Sequence, residues 1–202
     1  MIGRLRRAVS DQLSRPAGPL GRVVAALMNR GNRDLNARAI ELLDVAANSR
    51  VLDLGFGGGL TLGPLLSRGA TVFGVDRAAD MVQAAGSRHR QAVAESRLIL
   101  RTGEVQDLPM DDATVDRVLT VNTVYFWPDL AVALREVRRV LAPDGRLVIG
   151  IRDGSVMQQV SPEVFTLRSP DEIRSALEAA GFSEVRVRSA PDRKTHLIAA
   201  GR

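Results

Sequence analysis

From residue 50 onward, short runs of Val, Leu and Ile alternate with segments whose apolar residues recur every three or four positions. Continuous apolar runs suit strands buried on both faces, and the longer recurrence marks helices that cover them, so the pattern predicts an α/β protein with a doubly wound, mostly parallel sheet. Strands are expected at 50–55 (RVLDLG), 71–75, 97–101, 115–121 and 146–151, with two more at 184–189 and 195–200, seven in all. Helices are expected at 60–68, 78–89, 129–141 and 170–180. In 129–141, Leu130, Leu134, Val137 and Leu141 share one face. The helix at 170–180 carries its own punctuation: Ser169 as cap, Pro170 in the first turn, Glu172 completing a capping box and Gly181 as the stop. Pro64 removes a backbone donor, so it should kink its helix or delay its start.

Ahead of the sheet, Ile2, Leu5, Val9 and Leu13 fall on one helical face, 16–21 breaks the pattern and 34–46 resumes it. The organisation expected is a helical arm over 1–39 followed by one domain over 40–202. A length of 202 residues with 45% hydrophobic content fits one well-buried core. No cysteine is present, which excludes disulfides and thiolate metal ligands and makes a reducing cytoplasm the expected compartment. No apolar run is long enough to cross a bilayer. The net charge of +5 lies in the first fifty residues, which hold nine Arg against four acidic residues. A basic arm of this kind suits a peripheral membrane surface or an anionic partner, although its Arg residues are spread along the helices and form no cluster, so nucleic acid is not the expected partner. The two histidines are scattered and no metal site is expected. His89 sits between Arg88 and Arg90 on a surface helix, and Asp111 and Asp112 fall in a turn.

The strongest chemical signal is VLDLGFGGG at 51–59, an apolar strand that runs into Gly55, Gly57, Gly58 and Gly59. Glycines there let a ligand approach the backbone. The pyrophosphate fingerprint G-x-G-x-x-G is not met, because Leu60 holds the sixth position counted from Gly55. The next strand, VFGVD at 72–76, ends in Asp76, which in a doubly wound sheet lies beside the glycine turn and suits the two hydroxyls of a ribose. Arg77 hints at a nucleotide phosphate, but such a site would need the missing fingerprint. A third segment, TGEVQDLPMDDATVDRVLTVNTVYFW at 102–127, links the third strand to the fourth.

In that order, VLDLGFGGG, VFGVD, GEVQDLP, DRVLTVNTVYFW and VLAPDGRLVIGI resemble the class I methyltransferases, particularly the branch of quinone-biosynthesis and other small-molecule enzymes; the resemblance covers roughly 40–200. It implies a Rossmann-like fold and S-adenosylmethionine as cofactor. It also implies that Asp53, Gly55, Phe56, Gly57 and Gly59 hold the methionine end, and that Asp76 binds the ribose with Arg77 and Met81 nearby. Glu104 stands where the family has Asp in a Gly-Asp-Ala pattern; the longer side chain bears on the contact to the adenine amino group, for which the backbone of Val105 is an alternative. Asn122 falls beside the sulfonium. Residues 123–127 face the acceptor, a cofactor without phosphate matching a loop without the fingerprint.

Tyr125, Phe126 and Trp127 hold three of the seven aromatic residues and suit an apolar acceptor, or alternatively pack the end of the sheet. The sequence Asn122-Thr123-Val124-Tyr125 lacks the prolines of the Asn-Pro-Pro-Tyr signature carried by DNA and glutamine methyltransferases. Tyr125 and His196 are the two candidates for a catalytic base, neither expected to be indispensable. The activity expected is methyl transfer to a small apolar or aromatic metabolite, oxygen being favoured over carbon or nitrogen. Residues 1–33 are expected to serve as a lid. Two alternatives stay open, an RNA methyltransferase and a non-catalytic binding or partner protein of the same fold.

Overall fold

The computed structural model describes residues 32–154, 166–192 and 194–202. Most of the expected arm, and with it most of the expected lid, lies outside them. A helix over 32–43 (α1) leads into seven strands in one sheet: β1 (Arg50–Leu54), β2 (Thr71–Asp76), β3 (Leu98–Thr102), β4 (Val115–Val121), β5 (Leu141–Arg152), β6 (Ser183–Ser189) and β7 (Thr195–Gly201). Helices α2 (Leu62–Leu66), α3 (Ala79–Arg88), α4 (Arg90–Ala94), α5 (Leu130–Val140) and α6 (Pro170–Ala179) intervene. The spatial order is β3-β2-β1-β4-β5-β7-β6, with β7 antiparallel to both neighbours and every other pairing parallel.

Successive residues of the inner strands enter opposite layers, as a period of two requires. Leu52, Val118 and Leu147 face α5 and α6 with Leu134, Val137, Ile173 and Leu177, whereas Val51, Leu119 and Val148 face α1 to α3 with Leu35, Ala39, Leu62 and Met81. Each fully buried Leu contributes about 1.5–3 kcal/mol. Leu35 and Ala39 lie inside this core, and α1 runs unbroken through the arm-to-domain boundary expected at 39/40.

Most elements fall within two residues of expectation, and the exceptions have local causes. The helix begun by Thr61 starts at Leu62, so Pro64 sits in its first turn, where a backbone donor has no intrahelical partner. Ser169 and Glu172 form the full capping box, and Asp129 caps α5 through Val132 N–H at 3.0 Å. Strand β5 is longer than expected: it pairs with Val115 at Leu141 and again with Arg117 at Arg146, taking residues 142–145 in across an irregular register. The short helix α4 was not expected.

Chain order reverses beside β1, whose neighbours β2 and β4 are entered from opposite directions. The carboxyl ends of strands at such a point open a crevice.

Candidate functional site

The crevice is a cavity bounded by the residues that follow β1, β2, β3 and β4, closed on one side by α1. Gly55 (φ 71°), Gly57 (φ 50°) and Gly59 (φ 72°) all take the left-handed conformation that side chains disfavour. Two of them have different further reasons to be glycine. A Cβ on Gly55 would stand 2.5 Å from Thr123 Cγ2, because its N–H is drawn onto Val75 O at 2.7 Å and the turn lies against the end of β4. A Cβ on Gly57 would meet nothing within 4 Å and would project into open space. The Gly57 backbone is therefore bare on the cavity wall.

Two carboxylates stand behind this turn. Asp53, on β1, is 3% exposed and accepts a short hydrogen bond from the Thr61 hydroxyl on its Oδ2. Burial pushes its carboxyl up to about 7; the Thr61 hydroxyl opposes the shift and the nearby charge of Asp76 adds to it. Asp76 ends β2 and is 7% exposed. Its Oδ2 accepts from Gly57 N–H at 2.7 Å and its Oδ1 from Ala78 N–H at 2.9 Å. Burial raises its pKa, against the pull of those two N–H groups and of Arg77. A carboxylate has about four acceptor positions, so each oxygen keeps one for a ligand.

On the next wall, Gly103 N–H donates to Asp76 O at 3.1 Å, which brings Glu104 and Val105 to the cavity. Glu104 Oε1 lies 3.7 Å from Arg77 Nε, and the two half-exposed side chains span the rim.

The fourth wall follows β4. Asn122 takes φ 58°, uncommon for a residue with a side chain, and is held there by its N–H on Gly150 O at 2.8 Å. The Thr120 and Thr123 hydroxyls share a short hydrogen bond, and Thr120 also donates to Leu54 O at 2.9 Å, tying the ends of β4 and β1 together. A single 3-10 turn, Val124–Phe126, then presents Phe126 and Trp127 to the cavity.

Of the residues expected in the site, Asp53, Gly55, Phe56, Gly57, Asp76, Arg77, Glu104, Val105, Asn122, Phe126 and Trp127 line this one cavity. Four do not. Gly59 packs against Leu62 and Arg88. Met81, on α3, is buried in the core beneath the site. Tyr125 is 1% exposed, and its phenol oxygen accepts from Arg152 N–H at 2.5 Å and donates to Arg152 O at 2.7 Å. Burial pushes that phenol well above its ordinary range, away from any use as a base at neutral pH. Tyr125 is thus a strut joining the turn to β5, in place of the expected catalytic and acceptor-facing role. His196, on β7, is buried outside the cavity, with Nδ1 2.8 Å from Ser189 Oγ and Nε2 3.6 Å from Asp153 Oδ2.

Three polar side chains of the cavity were absent from the expected set. Asn32 and Asn36, one turn apart on α1, reach the wall; Asn36 is buried, and Asn32 Oδ1 accepts from Arg152 Nε at 3.0 Å. Thr61 is the third, and Thr123, expected to face the acceptor, also lines the cavity. The one available signal was the pair Asn32 and Asn36, two polar residues that share the helical face of Leu35, Ala39, Ile40 and Leu43.

Comparison with known proteins agrees with this geometry. Residues 52–149 match the methyltransferase-domain family. An uncharacterized methyltransferase of Mycobacterium tuberculosis is 41% identical over 118 residues, 58% of this chain and 46% of that protein. The 27-O-demethylrifamycin SV methyltransferase of Amycolatopsis mediterranei is 26% identical over 170 residues, 78% of this chain and 62% of that protein. A SAM-dependent methyltransferase from Aquifex aeolicus superposes with a TM-score of 0.73 at 21% identity, over 89% of this chain and 97% of that one. The chain spans about half the length of the first curated relatives it matches. The chain thus carries a methyltransferase domain over residues 52–149, just under half its length, on a 3-2-1-4-5-7-6 sheet with the fold of the class I, S-adenosylmethionine-dependent methyltransferases.

Proposed function

We propose that the protein transfers a methyl group from S-adenosylmethionine to a small apolar or aromatic metabolite, with oxygen as the favoured attacking atom. The observation that carries the reading is Asp76: a buried carboxylate fixed by two backbone N–H groups, with one acceptor position left on each oxygen, beside a glycine whose bare backbone faces the same cavity. That arrangement fits a ribose with both hydroxyls free and no phosphate to hold.

Asp76 takes the ribose hydroxyls. The backbone around Gly55, Phe56 and Gly57, with Asp53 behind it, holds the methionine end. Arg77, Glu104 and Val105 border the adenine, and Asn122 orients the sulfonium side. The bound cofactor supplies an activated methyl open to direct displacement. The chain's own work is to align an acceptor with it, and such positioning is worth about 7–11 kcal/mol in favourable cases. Phe126 and Trp127 offer an apolar wall that suits a hydrophobic acceptor, and the curated relative described as a 27-O-demethylrifamycin SV methyltransferase supports the choice of oxygen. Neither of the two expected bases, Tyr125 and His196, lines the cavity, so the acceptor is expected to bring its own acidic group, as a phenol or enol does.

The test is incubation with methyl-labelled S-adenosylmethionine and a panel of hydroxylated aromatic and macrocyclic compounds, with amines and an RNA pool in parallel. Label on the oxygen of a small acceptor is expected. Label on RNA alone, or no transfer despite cofactor binding, would overturn the reading in favour of an RNA enzyme or a non-catalytic binding protein.

A further inference from the structure

The turn that bears Phe126 and Trp127 is too short to hold itself. It contains one helical turn of three residues, entered through the left-handed Asn122 and left through Trp127 in an extended conformation ahead of Pro128. Its carbonyls are nonetheless bonded. Arg168 Nη1 donates to Val124 O at 2.7 Å and Arg168 Nη2 donates to Trp127 O at 3.0 Å, so one planar guanidinium spans the turn. Two residues earlier, Thr166 N–H donates to Tyr125 O at 3.0 Å.

The origin of this clamp is equally well fixed. Arg168 immediately precedes Ser169, whose capping box with Glu172 and the following Pro170 pin the start of α6. The helix in turn buries Ile173 and Leu177 against the sheet. Half-buried between that cap and the turn, Arg168 has no carboxylate within ion-pair distance among the described residues; the side chains of Glu172 and Asp129 act on it only at longer range. Its charge is spent on two neutral carbonyls. A guanidinium offers these two donors from separate nitrogens in a fixed planar fork, whereas an ammonium has a single nitrogen with rotating donors.

We propose that Arg168 is a positioning residue for the acceptor wall: it sets the angle of the turn 124–127, and so the placement of Phe126 and Trp127, without touching the cofactor. This rests on the reading of that wall as the acceptor side. Specificity for the acceptor is then written partly in the segment before α6, some forty residues beyond the turn it shapes.

Trp127 is the only tryptophan in the chain and lies on the cavity wall, so its fluorescence reports the turn directly, with no acceptor needed. Arg168→Gln and Arg168→Lys are compared with the unaltered protein by Trp127 emission and acrylamide quenching, and by titration with S-adenosylhomocysteine. Both variants should shift the emission to longer wavelength and expose Trp127 to the quencher, the Lys variant failing to restore what the fork supplied. The dissociation constant for S-adenosylhomocysteine should stay within about threefold, as for a group that shares no contact with it. Unchanged emission and quenching in Arg168→Gln, or full rescue by Lys, would overturn the proposal. Failure of S-adenosylhomocysteine to bind the unaltered protein would instead overturn the reading of the pocket and leave the clamp standing. Should the variants not fold, the unaltered protein still decides: its Arg168 Nη groups should give separate, slowly exchanging nitrogen-proton resonances, and a single averaged signal would refute the fork.

Discussion

Gly55→Ala is expected to cost the fold roughly 2–5 kcal/mol, and the structure divides that cost into two parts. An L-residue held at φ 71° costs about 1–2 kcal/mol. The new methyl group would also stand 2.5 Å from Thr123 Cγ2, and forced overpacking of this kind costs typically about 1–3 kcal/mol. Only the second part depends on Thr123. Thr123→Ser removes Cγ2 and keeps the hydroxyl that bonds Thr120, so the double variant should recover about 1–3 kcal/mol and leave the backbone part in place. Gly57→Ala supplies the control: its φ is 50° but its Cβ meets nothing, so it should lose only the backbone part, about 1–2 kcal/mol, while the methyl enters the cavity and weakens S-adenosylhomocysteine binding. Urea unfolding of the four variants and the parent at fixed pH measures all of this; in a domain of this size each kcal/mol moves the thermal midpoint by about 2–4 °C. A Gly55→Ala loss below about 1 kcal/mol, or no recovery in the double variant, would refute the close contact between the glycine turn and the end of β4.

Asp53 makes stability depend on pH. Its carboxyl is raised to about 7 in the fold, so between the unfolded value and 7 the native state holds a proton that the unfolded chain has lost, and its contribution, full at acid pH, declines as pH rises through 7. The slope is at most about 1.4 kcal/mol per pH unit, and urea unfolding from pH 5 to 8 should show it in the parent and not in Asp53→Asn. Tyr125→Phe removes the phenol's bonds to the part-buried N–H and C=O of Arg152 and should cost about 0.5–1.5 kcal/mol of stability per bond. In the same variant, and in His196→Ala, methyl transfer should fall by about tenfold or less with cofactor affinity intact; a loss beyond about a hundredfold in either would identify a true base.

The parts of the site that were legible in the sequence are those where function and strand geometry share residues. Parallel strands buried on both faces read as apolar runs, so the ends of β1, β2 and β4 could be located, and the residue at each end had to face the crevice. Asp76 followed from that logic, the glycines from the absence of side chains where the chain must turn, and Asp53 and Asn122 from the resemblance to the methyltransferases. Contacts made across space left no such trace. Thr61 reaches Asp53 only because the glycine turn folds back on β1. Asn32 and Asn36 interrupt the apolar face of α1, and only the sheet beneath shows that this end of the face borders a cavity. Tyr125 stood next to Phe126 and Trp127 and was read with them, yet within the tight turn Tyr125 and Trp127 both pack into the core and only Phe126 and Trp127 also border the cavity. For His196 the residue type suggested chemistry, whereas its place on an antiparallel strand two positions from β4 puts it outside the cavity of the described residues.

The central claim, that this chain holds S-adenosylmethionine by its ribose between the glycine turn and the end of β2, is met most directly by calorimetric titration of the cofactor into the parent protein and Asp76→Ala. The account predicts saturable binding to the parent with one site, and a loss of about 1.5–3 kcal/mol in the variant, roughly tenfold to a hundredfold or more in affinity, with the fold retained. Equal affinity in the two proteins would contradict it.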